Sequence, residues 1–157
     1  MRVLAVDPGY ERLGLAVIEK ETGGKETLLF SECFKTSAKL AHAGRLHLIG
    51  EELGRLILEY TPEAVAIETL FFSNNQKTAM QVSEARGTLL YVAASAGIPV
   101  SEFSPADIKI AVTSYGKSDK AQVTEMVKRL IHIEKPIQYD DEYDAIAIGL
   151  TFFATHR

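Results

Sequence analysis

Asp7, Glu68, Asp141 and Asp144 are the residues of this chain whose types and positions could do chemistry. Each lies where an apolar run ends or begins. Asp7 closes Val3-Leu4-Ala5-Val6 and is followed by Pro8-Gly9, while Glu68 closes Ala64-Val65-Ala66-Ile67. Asp141 and Asp144 precede Ala145-Ile146-Ala147-Ile148-Gly149-Leu150. A carboxylate at the end of a buried strand needs a neutralising partner. A pair of divalent cations would serve, and would bring phosphate-ester chemistry with it. The donors are all oxygen, which suits a hard cation. The four histidines, His42, His47, His132 and His156, are scattered, which argues against a zinc centre.

Taken singly, each acid also has an ordinary explanation. Asp7 before Pro8-Gly9 would stabilise a turn. Glu68 would form a strand-end ion pair. Asp141 and Asp144 would complement the dipole in a first helical turn. It is the set of four that favours a shared cation site.

The elements that must carry these acids follow from periodicity. Residues 2–7, 14–19 and 27–34 read as three strands, with Thr22-Gly23-Gly24-Lys25 as a hairpin turn between the second and third. These should form an antiparallel meander. Residues 38–60 change to helical spacing and stop at Thr61-Pro62. A short buried strand at 64–68 precedes a long helix from about Asn75 to Ala96, and Pro99 to Phe103 reads as a fifth strand. Ser104 caps a further helix with Pro105 at its first position, Ser118 or Asp119 opens the next, and the last runs from about Asp140 to Thr155.

The order β-β-β-α-β-α-β-α-α-α predicts an α/β fold: a five-stranded mixed sheet, three antiparallel strands then two parallel crossovers, flanked by helices. Strands one, four and five should be parallel. Asp7 and Glu68 then share the carboxyl edge, where such sheets place their sites. Asp141 and Asp144, three apart, share one face of the last helix.

Composition narrows the function classes. The chain has 157 residues with 46% hydrophobic and 24% charged, which suits a single domain over 1–157. The lone Cys33 excludes an internal disulfide and reads as a buried structural thiol. The N-terminus runs straight into a strand pattern, and the longest uncharged stretch, 87–101, is short of the roughly 18 residues a bilayer span needs. A cytoplasmic protein is expected. The net charge of −4 argues against nucleic acid, but setting the four acids aside leaves 17 acidic against 17 basic residues. Nucleic-acid affinity would rest on a local patch.

Two such patches are visible. Phe71-Phe72 follows Glu68 and precedes a polar segment, so one aromatic could stack on an unpaired base while the other packs inward. Lys109, Lys117 and Lys120 surround the turn at 114–118, and 104–136 holds six basic residues against four acidic. A solvated helical face would account equally well for that excess. On the long helix, Ala79, Val82, Ala85, Leu89, Val92 and Ala93 offer more than one small or apolar stripe, enough for the sheet and a partner.

The ordered motifs Val6-Asp7-Pro8-Gly9, Ile67-Glu68-Thr69-Leu70-Phe71-Phe72 with Asn75, Glu84-Ala85-Arg86-Gly87, Ile108-Lys109, Lys120-Ala121-Gln122-Val123 and Asp141-Glu142-Tyr143-Asp144-Ala145 span nearly the whole chain. In them the chain resembles the RuvC family of Holliday-junction resolvases, within the RNase H-like superfold. That resemblance implies an endonuclease of recombination and DNA repair that resolves four-way junctions by paired symmetric nicks leaving 5′ phosphates. It implies that Asp7, Glu68, Asp141 and Asp144 hold two Mg2+ ions, with Mn2+ as a substitute: one activates water, the other stabilises the leaving 3′ oxygen. It points to Phe71 as a wedge at the crossover and to Asn75, Lys109, Lys117 and Lys120 as further DNA contacts. It also implies a homodimer built on the long helix and a RuvA/RuvB-type branch-migration partner. Arg86 stays open between DNA contact and structural support. Members of that family are often basic, so this acidic chain should bind DNA more weakly or depend more on magnesium.

Other readings compete. A YqgF-like RNase H-type nuclease would share the fold but not the extended Glu68-to-Phe72 motif. A non-catalytic junction-binding protein would not need all four acids. An actin-like ATPase opens with a similar hairpin but needs two such domains.

Overall fold

A computed structural model describes residues 1–70 and 76–156, with the backbone alone at 76 and 77. Three strands come first: β1 (Arg2–Asp7), β2 (Arg12–Lys20) and β3 (Glu26–Lys35). They are followed by α1 (His42–Tyr60), β4 (Ala64–Glu68), α2 (Gln76–Ser95) and β5 (Val100–Phe103). Helices α3 (Pro105–Thr113), α4 (Lys120–Leu130) and α5 (Asp140–Thr155) complete the chain. The sheet order is β3-β2-β1-β4-β5, with β1 antiparallel to β2 and parallel to β4, and β4 parallel to β5. This is the five-stranded mixed sheet that the element order predicts.

The pleat sorts the sheet residues onto two cores. Val3, Ala5, Ala16, Ile18, Ala64 and Ala66 pack with α5 and with Ile108, Val112, Val123 and Val127 of α3 and α4. Leu4, Val6, Leu15, Val17, Val65 and Ile67 pack with α1 and α2, through Ile49, Leu53, Leu56, Ala85, Leu89 and Ala93. With period two, Asp7 continues the Val3-Ala5 row and Glu68 the Ala64-Ala66 row. Both acids therefore leave the sheet on the α5 side. Two glycines let α5 come close. A Cβ at Gly14 would stand 2.0 Å from the Asp141 carbonyl oxygen, and one at Gly149 would stand 2.7 Å from Ile18 Cδ1.

Local chemistry sets the helix ends. Ser104 and Asp107 form a capping box at α3, as do Asp119 and Gln122 at α4. Helix α1 ends at Thr61, which adopts φ +46°. It starts at His42 rather than at 38, because Ser37 accepts from the Lys39 N–H through its hydroxyl and from the Leu40 N–H through its carbonyl, closing a turn instead. Strand β2 begins two residues earlier than periodicity predicts, since Arg12 and Leu13 pair with Lys35 and Phe34 of β3. No helix among the described residues is long and apolar enough to cross a membrane.

Candidate active site

Val6 pairs with Ile67, so Asp7 and Glu68 leave the ends of adjacent parallel strands side by side. The first turn of α5 lies over the same edge: Asp7 pairs with Gly14, and Gly14 carries the Asp141 carbonyl. All four sequence-singled acids thus converge, each half-buried. Their electrostatics record the crowding. Burial, then the charges of Asp144, Glu68 and Asp141, hold the Asp7 carboxyl well above the usual range, against a smaller opposing pull from Lys120. Burial and Asp144 push Glu68 up to about 7, with Lys120 and Lys109 opposing. Burial likewise raises Asp144, partly countered by its hydrogen bond to Lys120.

Two side-chain cations answer part of this charge. Lys120 Nζ contacts Asp140 at 2.5 Å and Asp144 at 2.8 Å. Burial opposes its charge, but those two carboxylates hold its pKa above the ordinary lysine value. Arg12 Nε lies 3.2 Å from Asp141 Oδ2. With the helix acids turned onto these cations, no three His, Cys, Asp or Glu side chains among the described residues are gathered tightly enough to hold a metal ion as they stand. The donor set nevertheless fits a hard divalent cation. It consists only of carboxylates, fixed on two strand ends and one helix turn, and its members disfavour one another's charge.

A cleft of about 240 Å³ opens beside the acids, lined by Glu68, Asp144, Lys109 and Lys120 over Ile108, Val123 and Ala147. A larger groove of about 400 Å³ runs along β3 and residues 132–135, but it contains none of the four acids. The smaller cleft is the candidate site, since charged groups converge there on an apolar floor. Lys117 is exposed on the α3–α4 turn and does not line that cleft. Arg86 acts on the scaffold: its Nε donates to the Glu68 carbonyl at 3.2 Å and its guanidinium pairs with Glu102. Phe71, Phe72 and Asn75 lie outside the described residues.

Sequence reasoning missed several participants. Arg12 shares the α5-facing pleat with Gly14 and Ala16, so the hairpin register was the signal that could have found it. Cys33, expected to be buried, is only half-buried, with Sγ 3.9 Å from Asp141 Oδ2. Burial and Asp141 push its thiol up to about 11, so it is not a thiolate at neutral pH. Glu142, between the two helix acids in sequence, points the other way and is buried.

The family model for "Crossover junction endodeoxyribonuclease RuvC" matches residues 3–152. A protein of that name from Thermosipho melanesiensis is 43% identical over 149 residues, covering 95% of this chain and 94% of the relative. One from Syntrophomonas wolfei is 38% identical over 157 residues, covering 100% and 91%. Among solved structures, Thermus thermophilus RuvC in complex with Holliday junction substrate superposes with a TM-score of 0.90 at 33% identity, over 98% of this chain and 93% of that one. The yeast mitochondrial Holliday junction resolvase Ydc2 shares the fold, with a TM-score of 0.72 at 14% identity.

Proposed function

This chain belongs to the crossover junction endodeoxyribonuclease RuvC family, and from that membership we propose how its own residues carry out the reaction. The chain is an RNase H-like endonuclease and a Holliday-junction resolvase. The proposed substrate is the four-way DNA junction, opened by paired symmetric nicks that leave 5′ phosphates. Asp7, Glu68, Asp141 and Asp144 are the proposed ligands of two Mg2+ ions, replaceable by Mn2+. Bound there, the ions would supply an activated water and stabilisation of the departing 3′ oxygen.

The observation that carries this reading is the convergence of four carboxylates from three distant segments on one sheet edge, with Asp7 and Glu68 raised first by burial and then by the charge of Asp144. Such an arrangement costs folding stability and is retained where it serves a site. Lys120, shared between Asp140 and Asp144, is free to exchange a carboxylate for a phosphate oxygen as the DNA enters. Lys109, which also lines the cleft, would hold a second phosphate oxygen. Lys117 would contact the backbone farther out, and Phe71 and Asn75 would meet bases at the crossover.

Two nicks related by the junction's symmetry call for a C2 homodimer. Helix α2 suits the interface. Its Ala85, Leu89 and Ala93 are buried toward α1, while Tyr91 is 73% exposed and Met80, three turns earlier, is also exposed. A RuvA/RuvB-type motor would deliver the junction, and residues 1–157 would act as one nuclease domain.

The test uses a mobile four-way junction and a linear duplex, each with magnesium or EDTA. Paired nicks in the junction alone, lost with EDTA, support the reading. Equal cutting of the duplex, or cutting in EDTA, overturns it. Tight binding without nicking would favour a junction-binding protein.

A further inference from the structure

The start of α5 presents two of the four acids, Asp141 in the first turn and Asp144 one turn on, yet it has no conventional cap: Tyr139 at the N-cap makes no side-chain hydrogen bond to the helix. Glu142 occupies that turn and is 5% exposed. Its Oε1 accepts from Ser31 Oγ at 2.6 Å and lies 2.6 Å from Lys135 Nζ. Ser31, on β3, is itself 4% exposed, and Lys135 also donates to the Ser31 carbonyl oxygen. Three elements are therefore tied at one point: the third strand, the segment between α4 and α5, and the start of α5. On the other side of the same turn the Asp141 carbonyl rests on Gly14.

We propose that Glu142 is a positioning residue for the acidic site: clamped by Ser31 and Lys135, it holds the first turn of α5 so that Asp141 and Asp144 stand over Asp7 and Glu68. The proposal rests on those four acids being the metal ligands. A role in positioning is separable from one in folding, because α5 is buried continuously from Ala145 to Phe153 and stays docked whatever happens to its first turn. Losing the clamp releases the turn, not the helix. Residues that orient metal ligands from behind typically change metal affinity about 10- to 100-fold when removed.

The experiment measures Mn2+ binding to the full chain by calorimetry, together with junction cleavage as a function of Mg2+ and junction binding in EDTA. For Glu142→Ala the Mn2+ dissociation constant and the Mg2+ concentration for half-maximal cleavage should both rise about 10-fold or more, with junction binding in EDTA unchanged. Glu142→Gln keeps an oxygen for Ser31 and should shift less. Should Glu142→Ala fail to fold, Ser31→Ala and Lys135→Met each remove one arm of the clamp and should give the same split at smaller size. Folded variants with wild-type Mn2+ affinity and Mg2+ dependence would overturn the proposal while leaving the metal reading intact. A wild-type chain that takes up no Mn2+ and still cuts in EDTA would overturn both.

Discussion

The two faces of the sheet are built from different residues. Toward α5 the strands offer four alanines, Ala5, Ala16, Ala64 and Ala66, with Val3 and Ile18 as the larger residues, met by Ala145, Ala147 and Gly149 of the helix. Toward α1 and α2 they offer Leu4, Val6, Leu15, Val17, Val65 and Ile67, met by Ile49, Leu53, Leu56 and Leu89. Small residues bring a helix backbone close and leave it little freedom; large ones bury more apolar area per residue. The bulky face supplies stability, and the tight face supplies distance control. All four acids belong to the tight face.

This contrast is best broken first at the acids. Asp7→Asn should lower junction cleavage by on the order of 10³-fold, a loss of the size seen when a transition-state contact is removed. The same variant should melt higher than wild type without metal, by about 2–4 °C per kcal/mol of repulsion relieved. Cleavage kinetics and a thermal melt, run on one preparation, check both. A lower melting temperature would mean that Asp7 is a structural turn residue.

On the bulky face, Leu53→Ala should cost roughly 2–5 kcal/mol of stability through the cavity it leaves. Denaturant unfolding would measure this, and the magnesium dependence of the remaining folded enzyme should not move. On the tight face, Gly14→Ala should cost roughly 1–3 kcal/mol, because the new methyl meets the backbone carbonyl of Asp141. Its cleavage rate should fall out of proportion to that loss, since the obstruction displaces an acid. Proportionate effects at both positions would erase the distinction between the faces.

The same acids make stability depend on pH. Glu68 has a folded pKa of about 7 against an ordinary 4.5, and Asp7 is also raised. The folded protein then binds more protons than the unfolded chain across that interval. Metal-free stability should be highest at the acidic end and fall as pH rises from about 4.5 through 7. Millimolar magnesium should flatten the decline, because a ligand bound only by the folded state stabilises it by mass action. Calorimetric melts at several pH values, with magnesium and with EDTA, would reveal either slope.

Much of this was legible in the chain. Asp7 and Glu68 could be assigned to strand ends because each terminates an apolar run, and parallel pairing follows from the order of elements. Asp141 and Asp144 were legible through their helical spacing. What the sequence concealed was pairing across distance. Ser31 and Glu142 are 111 positions apart, and nothing local marks either. Arg12 reads as an ordinary hairpin residue until the register sets it beside Asp141. The start of α1 was misread because Leu40 fits the helical period, whereas Ser37 diverts that backbone into a turn. Cys33 reads as core because its neighbours are apolar, but β3 is an edge strand and only partly covered.

The last helix has a bearing on how the protein is made. Two of the four acids arrive with α5, which follows all five strands in the chain and also closes the alanine-rich face. A nascent or C-terminally clipped chain therefore holds only Asp7 and Glu68, with that side of the sheet uncovered. On the proposed assignment, a copy cut short before α5 lacks half of the metal ligands and should not nick DNA.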